Sequence, residues 1–193
     1  MVVGASPNVL SIQVGLPRVV EWRGRLVTTS IWKSPVTGPV RVMRLDLEGD
    51  EQSDLTVHGG TDKAVYVYPV EHYEFWREQL AEPDLPYGAF GENLTTSGLS
   101  EDTVCIGDTL RIGSAEFVVT QPRMPCFKLQ IRFDRTDMVK RFAQSGRSGF
   151  YLRVLREGEV EAGDEITLLS RDERRVSVAD VVRSILSRRA FSE

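Results

Sequence analysis

Short apolar runs, each bounded by glycine, proline or aspartate, constrain the fold of this chain more than any other feature. Runs of this kind are typical of β-strands. The predicted strands are residues 9–14, 18–22, 26–32, 40–47, 64–68, 109–112, 116–120, 149–155 and 165–169. Gly113 and Ser114 join two of these strands into the clearest hairpin of the sequence. The chain is therefore predicted to be mainly β, with residues 34–39 forming a loop.

Helical periodicity is confined to a few segments. Residues 69–80, 127–133 and 138–144 are predicted to be helical, with a break at Asp134 between the last two. The tail carries a narrow apolar stripe at helical spacing after Ser177 and Asp180, which resemble a capping box. The predicted organisation is one main domain over residues 1–170 and a short helical appendix over residues 171–193.

The composition excludes several classes of function. The 193 residues are 41% hydrophobic and 27% charged, as in ordinary globular proteins, and no apolar run approaches the ~18 residues of a membrane span. A net charge of −4 argues against nucleic-acid binding but allows a small anion in a local basic pocket. The N-terminus lacks the pattern of a secretory signal, and two cysteines cannot form a disulfide framework. A cytoplasmic location without membrane partners is expected.

Cys126 lies in the most unusual local sequence, residues 121–129. Pro125 suits the first turn of a helix, so the sequence predicts that Cys126 lies at the start of a helix that directly follows a strand. The helix dipole and the neighbouring Arg123 and Lys128 would favour a thiolate, which can act as a nucleophile, a redox group or a metal ligand. The alternative is a small buried apolar residue. The two flanking cations favour the thiolate.

Several motifs together resemble one family. Residues 58–66, 90–95, 106–108 and 121–126 occur in the order found in MOSC domains, the modules that form the C-terminal part of molybdenum cofactor sulfurases. Residues 33–40 and 144–151 are similar to the YiiM-type bacterial subgroup. The resemblance covers roughly residues 10 to 170. It implies a barrel-like β domain with peripheral helices and a pterin molybdenum cofactor, whereas pyridoxal phosphate is not expected.

The resemblance also implies an activity, the reduction of N-hydroxylated small molecules such as 6-hydroxylaminopurine. Electrons would come from a separate reductase, since the sequence has no flavin, haem or iron–sulfur signature of its own. The alternative from another class is a carrier without turnover, in which Cys126 holds the cofactor or bears a persulfide. A generic thiol-dependent enzyme is the third interpretation. The apolar stripe of the tail must dock on the body, on a second copy or on a partner, so a homodimer is one expected assembly.

The resemblance, together with the chemistry that the implied cofactor and reaction need, predicts the site residues. Cys126 is the expected molybdenum ligand and catalytic group, because thiolate is a soft ligand. His58 is the second catalytic candidate, as a proton or hydrogen-bond donor, the alternative being a bond that fixes its loop. Glu92 and Asn93 are expected either to hydrogen-bond the pterin or to cap a turn. Cationic side chains would hold the cofactor's phosphate unless they are solvated surface charges. They are Lys33, Lys63, Arg123 and Lys128.

Overall fold

A computed structural model describes residues 6–53 and 59–190, without the side chains of residues 189 and 190. Strands dominate these ranges, and the mainly β prediction is confirmed. In chain order they are β1 (Asn8–Val14), β2 (Arg18–Trp22), β3 (Arg25–Thr29), β4 (Ser34–Val36), β5 (Val40–Val42), β6 (Val65–Pro69), β7 (Leu94–Ser97), β8 (Thr109–Ile112), β9 (Ala115–Pro122), β10 (Phe150–Arg156), β11 (Gly158–Val160) and β12 (Ile166–Ser170).

Eight of the strands form one mixed sheet in the order β12-β8-β9-β10-β6-β7-β1-β4. The β6–β7 pair is parallel and the other pairs are antiparallel. The predicted hairpin is present as β8 and β9, with Ile112 opposite Ala115 at its turn. Two smaller sheets pair β11 with β5 and β2 with β3.

A closed barrel is not found among the described residues. The two ends of the sheet approach each other where Asn8 forms an isolated bridge with Glu165. Next to this bridge, Val9 N donates to Asp164 O at 2.9 Å and Ile166 N donates to Pro7 O at 2.7 Å. These bonds are confined to residues 7–9 and 163–166 and do not extend into a continuous ladder.

Four helices pack around the sheet in the described ranges: α1 (Tyr73–Leu80), α2 (Lys128–Phe133), α3 (Met138–Ser145) and α4 (Val178–Ala190). A 3₁₀ turn at Val70–His72 leads into α1. Asp134 ends α2 in the left-handed conformation with φ 48°, which confirms the predicted break. In the part of the chain that is described, no helix combines the length and the apolar character that crossing a bilayer requires.

Strand β6 lies between two apolar cores. Val65 and Val67 belong to the core on one face of the sheet, while Tyr66 and Tyr68 belong to an aromatic core beneath α1, α2 and α3. Since successive side chains of a strand point to opposite faces, β6 contributes to both cores at once. Trp76 of α1 lies in the aromatic core, and its Nε1 donates to the Tyr68 hydroxyl at 2.7 Å.

The strand boundaries differ from the sequence prediction around residues 26–47. The predicted strands over residues 26–32 and 40–47 are shorter, ending at Thr29 and Val42. Residues 34–39 were predicted to form a loop, which is wrong for Ser34–Val36, because that segment pairs with β1 as the edge strand β4. An edge strand tolerates Pro35, since one side of it needs no ladder hydrogen bond.

Helix α4 is docked on the body of the protein. The predicted capping box is present: Asp180 N donates to Ser177 Oγ at 3.0 Å, and Ser177 N donates to the Asp180 carboxylate at 3.1 Å. Val178 and Val182 are buried, and Val182 lines a small cavity together with residues 123–125, the segment that leads to Cys126. The division of the chain at residue 170 stays a prediction.

Candidate functional site

Six residues predicted from the sequence line a single cleft. They come from four separate parts of the chain: the approach to β4, the turn before β6, the approach to β7 and the connection from β9 to α2. They are Lys33, Lys63, Asn93, Arg123, Cys126 and Lys128. Among the described residues, the lining of the cleft therefore combines a thiol with four cationic side chains and the two carboxylates of Asp50 and Glu51. Its excess of positive charge suits an anionic ligand.

Cys126 is half-buried in the connection between β9 and α2. Pro125 does not begin the helix as predicted, because α2 begins at Lys128 and has only six residues. Past the end of β9 the chain is still bonded to the segment before β10, where Arg123 N donates to Gly149 O at 3.3 Å. Cys126 contributes its carbonyl to the turn before the helix, accepting from Leu129 N at 3.0 Å.

Arg123 is the most constrained cation of the cleft. Its side chain is only 6% exposed, and its guanidinium lies 5.0 Å from the Phe142 ring centre and 5.6 Å from that of Tyr66. Burial alone would lower the pKa of Arg123, but the neighbouring Tyr66, Cys126 and Tyr151 groups outweigh it, so the pKa lies above its ordinary value. Its Nη1 atom is buried and has no hydrogen-bond partner within residues 6–53 and 59–190.

Lys33 belongs to a buried polar network in which Asp50 is the central member. The Lys33 ammonium and Gly15 N both donate to Asp50 Oδ1, the latter at 2.7 Å, while Asn93 Nδ2 donates to Asp50 Oδ2 at 2.7 Å. Asn93 Oδ1 accepts in turn from Tyr66 N at 3.0 Å. Burial lowers the pKa of Lys33, and the Asp50 carboxylate opposes this effect. The network joins the approaches to β4 and β7 to strand β6 and thereby shapes one wall of the cleft.

Lys128 and Lys63 complete the set of cations. Lys128 is buried, and its Nζ donates to Ser53 Oγ at 3.3 Å, so the first residue of α2 holds the loop after Asp50. Lys63 lies in the 3₁₀ turn Thr61–Lys63, and its carbonyl accepts from Gln52 Nε2 at 3.2 Å. Both side chains border the cleft that contains Cys126.

Glu92 is not among the residues that line the cleft. Its carboxylate points into the protein, where it accepts hydrogen bonds from the Tyr73 hydroxyl, from Gly88 N at 2.8 Å and from Phe90 N at 3.1 Å. Burial raises the pKa of Glu92. Of the two roles predicted for Glu92, these contacts match the stabilisation of a turn, here the turn that precedes β7.

His58 lies outside the described residues, so its predicted catalytic role stays a prediction. The cleft contains Ser53 and Lys63, which lie on either side of residues 54–58 in the sequence.

Sequence reasoning missed several residues of the cleft. Tyr66 was predicted to be a core residue, which it is, but it also lines the cleft together with Tyr151, Asp50 and Ser30. No local pattern singles out Asp50 or Ser30. Asp50 has its Asn93 partner 43 positions away, so only tertiary folding creates the pair.

The fold and the cleft together define a class: a mainly β protein that presents a half-buried thiol within a cleft lined by several cationic side chains. The model of the MOSC domain family matches residues 54–167, and this chain belongs to that family. The family resemblance expected from the sequence motifs is thus confirmed.

Relatives extend the comparison. The uncharacterized protein YflK of Bacillus subtilis (strain 168) is 50% identical over 171 residues, covering 89% of this chain and 77% of YflK. A protein named reductase from Gibberella moniliformis is 41% identical over 186 residues, covering 94% of this chain. This chain spans only 33% of the length of that reductase. The crystal structure of YiiM from Geobacillus stearothermophilus superimposes with a TM-score of 0.78 at 39% identity, covering 95% of this chain and 85% of the YiiM chain.

Proposed function

We propose that this protein binds a pterin molybdenum cofactor in the cleft and reduces N-hydroxylated small molecules such as 6-hydroxylaminopurine. Membership of the MOSC family and a relative named reductase support a cofactor-binding oxidoreductase. The observation that carries the proposal is that Cys126 and Arg123 line the same cleft. The Nη1 atom of Arg123 is buried there and has no hydrogen-bond partner among the described residues.

The residues of the cleft fit such a cofactor. A guanidinium with an unused buried N–H is suited to a phosphate oxygen, because charge-assisted hydrogen bonds to phosphate are strong. Lys63 and Lys128 add positive charge to the same cleft, and Lys33 forms an ion pair with Asp50. Cys126 is the one cysteine among the lining residues, so the chain would offer the metal a single soft ligand. A cofactor that brings its own sulfur ligands suits this arrangement.

The roles of the chain's own residues follow from this assignment. When bound, the molybdenum centre would supply two-electron chemistry. Cys126 would hold the metal, and Arg123 with Lys128 and Lys63 would hold the phosphate. The Asp50 network keeps the walls of the cleft in place. His58 is proposed to donate a proton, and a separate reductase is proposed to donate the electrons in the cytoplasm.

Metal analysis of protein from a host that makes the cofactor tests this proposal, with wild type beside Cys126→Ser. We expect near-stoichiometric molybdenum in the wild type and a large loss in Cys126→Ser, because serine lacks the soft thiolate. Cys105→Ser is the matched control, since Cys105 is buried outside the cleft and should leave the molybdenum content unchanged.

The possible outcomes separate the alternatives. Molybdenum in none of the proteins would refute the proposed function. Equal molybdenum in wild type and Cys126→Ser would show that the cofactor binds without this ligand. Wild type that retains molybdenum but fails to reduce 6-hydroxylaminopurine with an artificial electron donor would instead be a cofactor carrier.

A further inference from the structure

Two buried polar side chains that line the cleft lack hydrogen-bond partners within the described part of the chain. One is Arg123 at Nη1, and the other is Ser30 at Oγ. Ser30 follows the last residue of β3 and is 9% exposed. An unpaired buried polar group costs folding free energy, and one ligand in the cleft would satisfy both of these atoms.

Within the described residues, the Ser30 hydroxyl makes no hydrogen bond that would give it a structural role. The nearby backbone N–H of Ile31 is already satisfied by the hydroxyl of the preceding residue, Thr29, at 3.2 Å. Serine hydroxyls commonly cap or close turns, and here Thr29 does so instead. The Ser30 hydroxyl is therefore available to a ligand.

The surroundings of Ser30 and Arg123 differ in chemistry. Ile31, Phe90 and Gly91 line the cleft beside Ser30 in an apolar wall. Gly91 has φ +83°, and a Cβ there would lie 3.1 Å from Ile31 Cγ1, so the two segments pack closely without a side chain between them. Sites for small organic ligands combine a mostly apolar lining with a few placed polar groups. Arg123 and Lys128 lie close together in the sequence and line the same cleft. The Arg123 guanidinium suits an anionic oxygen.

We propose that Ser30 is a ligand-binding residue that hydrogen-bonds the heterocyclic part of a phosphorylated ligand whose phosphate is bound by Arg123. This inference rests on the proposed function, in which that ligand is the phosphorylated pterin of the cofactor. Ser30 adds a specific contact to the ring, whereas the cations of the cleft recognise only the charge.

The test compares Ser30→Ala with Thr96→Val in the full-length protein from a cofactor-competent host. Thr96 is the matched control, because its Oγ1 is also buried and unpartnered among the described residues but Thr96 does not line the cleft. Pterin is released after timed dialysis, oxidised and quantified by its fluorescence. We expect Ser30→Ala to lose pterin about three- to tenfold faster than wild type, the effect of one neutral hydrogen bond, and Thr96→Val to behave as wild type.

A second measurement, the thermal midpoint of cofactor-free protein, separates ligand binding from structural support. Removal of an unpartnered hydroxyl should leave the midpoint of both variants unchanged or slightly raised. A clear drop for Ser30→Ala alone would mean that the hydroxyl is used inside the protein, which overturns the inference. Equal pterin retention by Ser30→Ala and wild type overturns the inference but leaves the proposed function intact. Absence of pterin from wild type overturns both.

Discussion

At the scale of single residues, Glu92 is a buried carboxylate that organises the turn before β7. It is fully buried and accepts hydrogen bonds from two backbone N–H groups, the Tyr73 hydroxyl and Thr95 Oγ1, the last at 3.1 Å. A buried carboxylate is tolerated only when such donors compensate the loss of water. Asn93, the next residue, donates a hydrogen bond to Asp50. The turn that Glu92 stabilises therefore also positions part of the cleft wall.

Replacing Glu92 by alanine should destabilise the protein by ~3 kcal/mol or more, because several buried donors lose their acceptor at ~1–3 kcal/mol each. Urea unfolding followed by circular dichroism measures this change. Glu78→Ala on the exposed face of α1 serves as the control and should stay within ~0.5 kcal/mol of wild type. Equal stability of the two variants would contradict the structural role of Glu92.

At the scale of elements, helix α4 supports the segment that carries Cys126. Val178 N donates to Val104 O and Ala179 N donates to Glu101 O, both at 2.9 Å, so the first turn of α4 is attached to the body by its backbone. Further along the helix, Val182 and Leu186 line a small cavity together with the segment 123–125. The apolar stripe predicted for the tail thus has at least part of its partner within the same chain.

The capping box should determine how firmly α4 is docked. Ser177→Ala removes the acceptor for Asp180 N and should cost about 1 kcal/mol. The free energy of unfolding, together with the rate of proteolysis within α4, reports the change. Ser187→Ala in the same helix is the control, since its hydroxyl bonds only the Arg183 carbonyl on the exposed side. If both variants lost the same stability, the cap would have no special role.

At the scale of the whole molecule, Glu101 connects parts of the chain that are distant in sequence. Its carboxylate binds His72 Nε2 at 2.8 Å, just before α1, and accepts from Gly149 N at 2.6 Å, just before β10. Burial alone would raise the pKa of Glu101, but the hydrogen bond and charge of His72, together with Gly149 N, outweigh it and lower the pKa. Gly149 has φ +62°, and a Cβ there would lie 2.4 Å from Val67 O, so this close approach requires glycine.

The lowered pKa of Glu101 makes its stabilisation dependent on pH. The contribution is present above the ordinary pKa of 4.5 and is lost as the pH falls through the lower pKa of the folded state. We expect Glu101→Gln to lose roughly 1–3 kcal/mol at pH 7 and to approach wild type in acid. Urea unfolding between pH 7 and pH 3 measures the difference. Glu116→Gln, whose Arg156 partner is exposed, should show little effect, and a pH-independent deficit in Glu101→Gln would exclude this linkage.

The amino-acid sequence by itself determined most of the local structure of the described residues and part of the lining of the cleft. Strand and helix periodicity, the turn at Gly113 and Ser114 and the capping box at Ser177 are local signals, because each depends on neighbours within a few residues. The motifs also identified six residues that the fold gathers into one cleft.

Only the tertiary structure decided how the elements pair and where the polar side chains point. Strand β4 forms by pairing with β1, and α2 begins at Lys128 instead of at Pro125. Asp50 becomes the centre of a network, and Ser30 and Arg123 keep unused hydrogen-bonding atoms, through the placement of segments tens of residues apart. Periodicity describes a residue's neighbours along the chain, whereas burial and hydrogen bonding depend on neighbours in space.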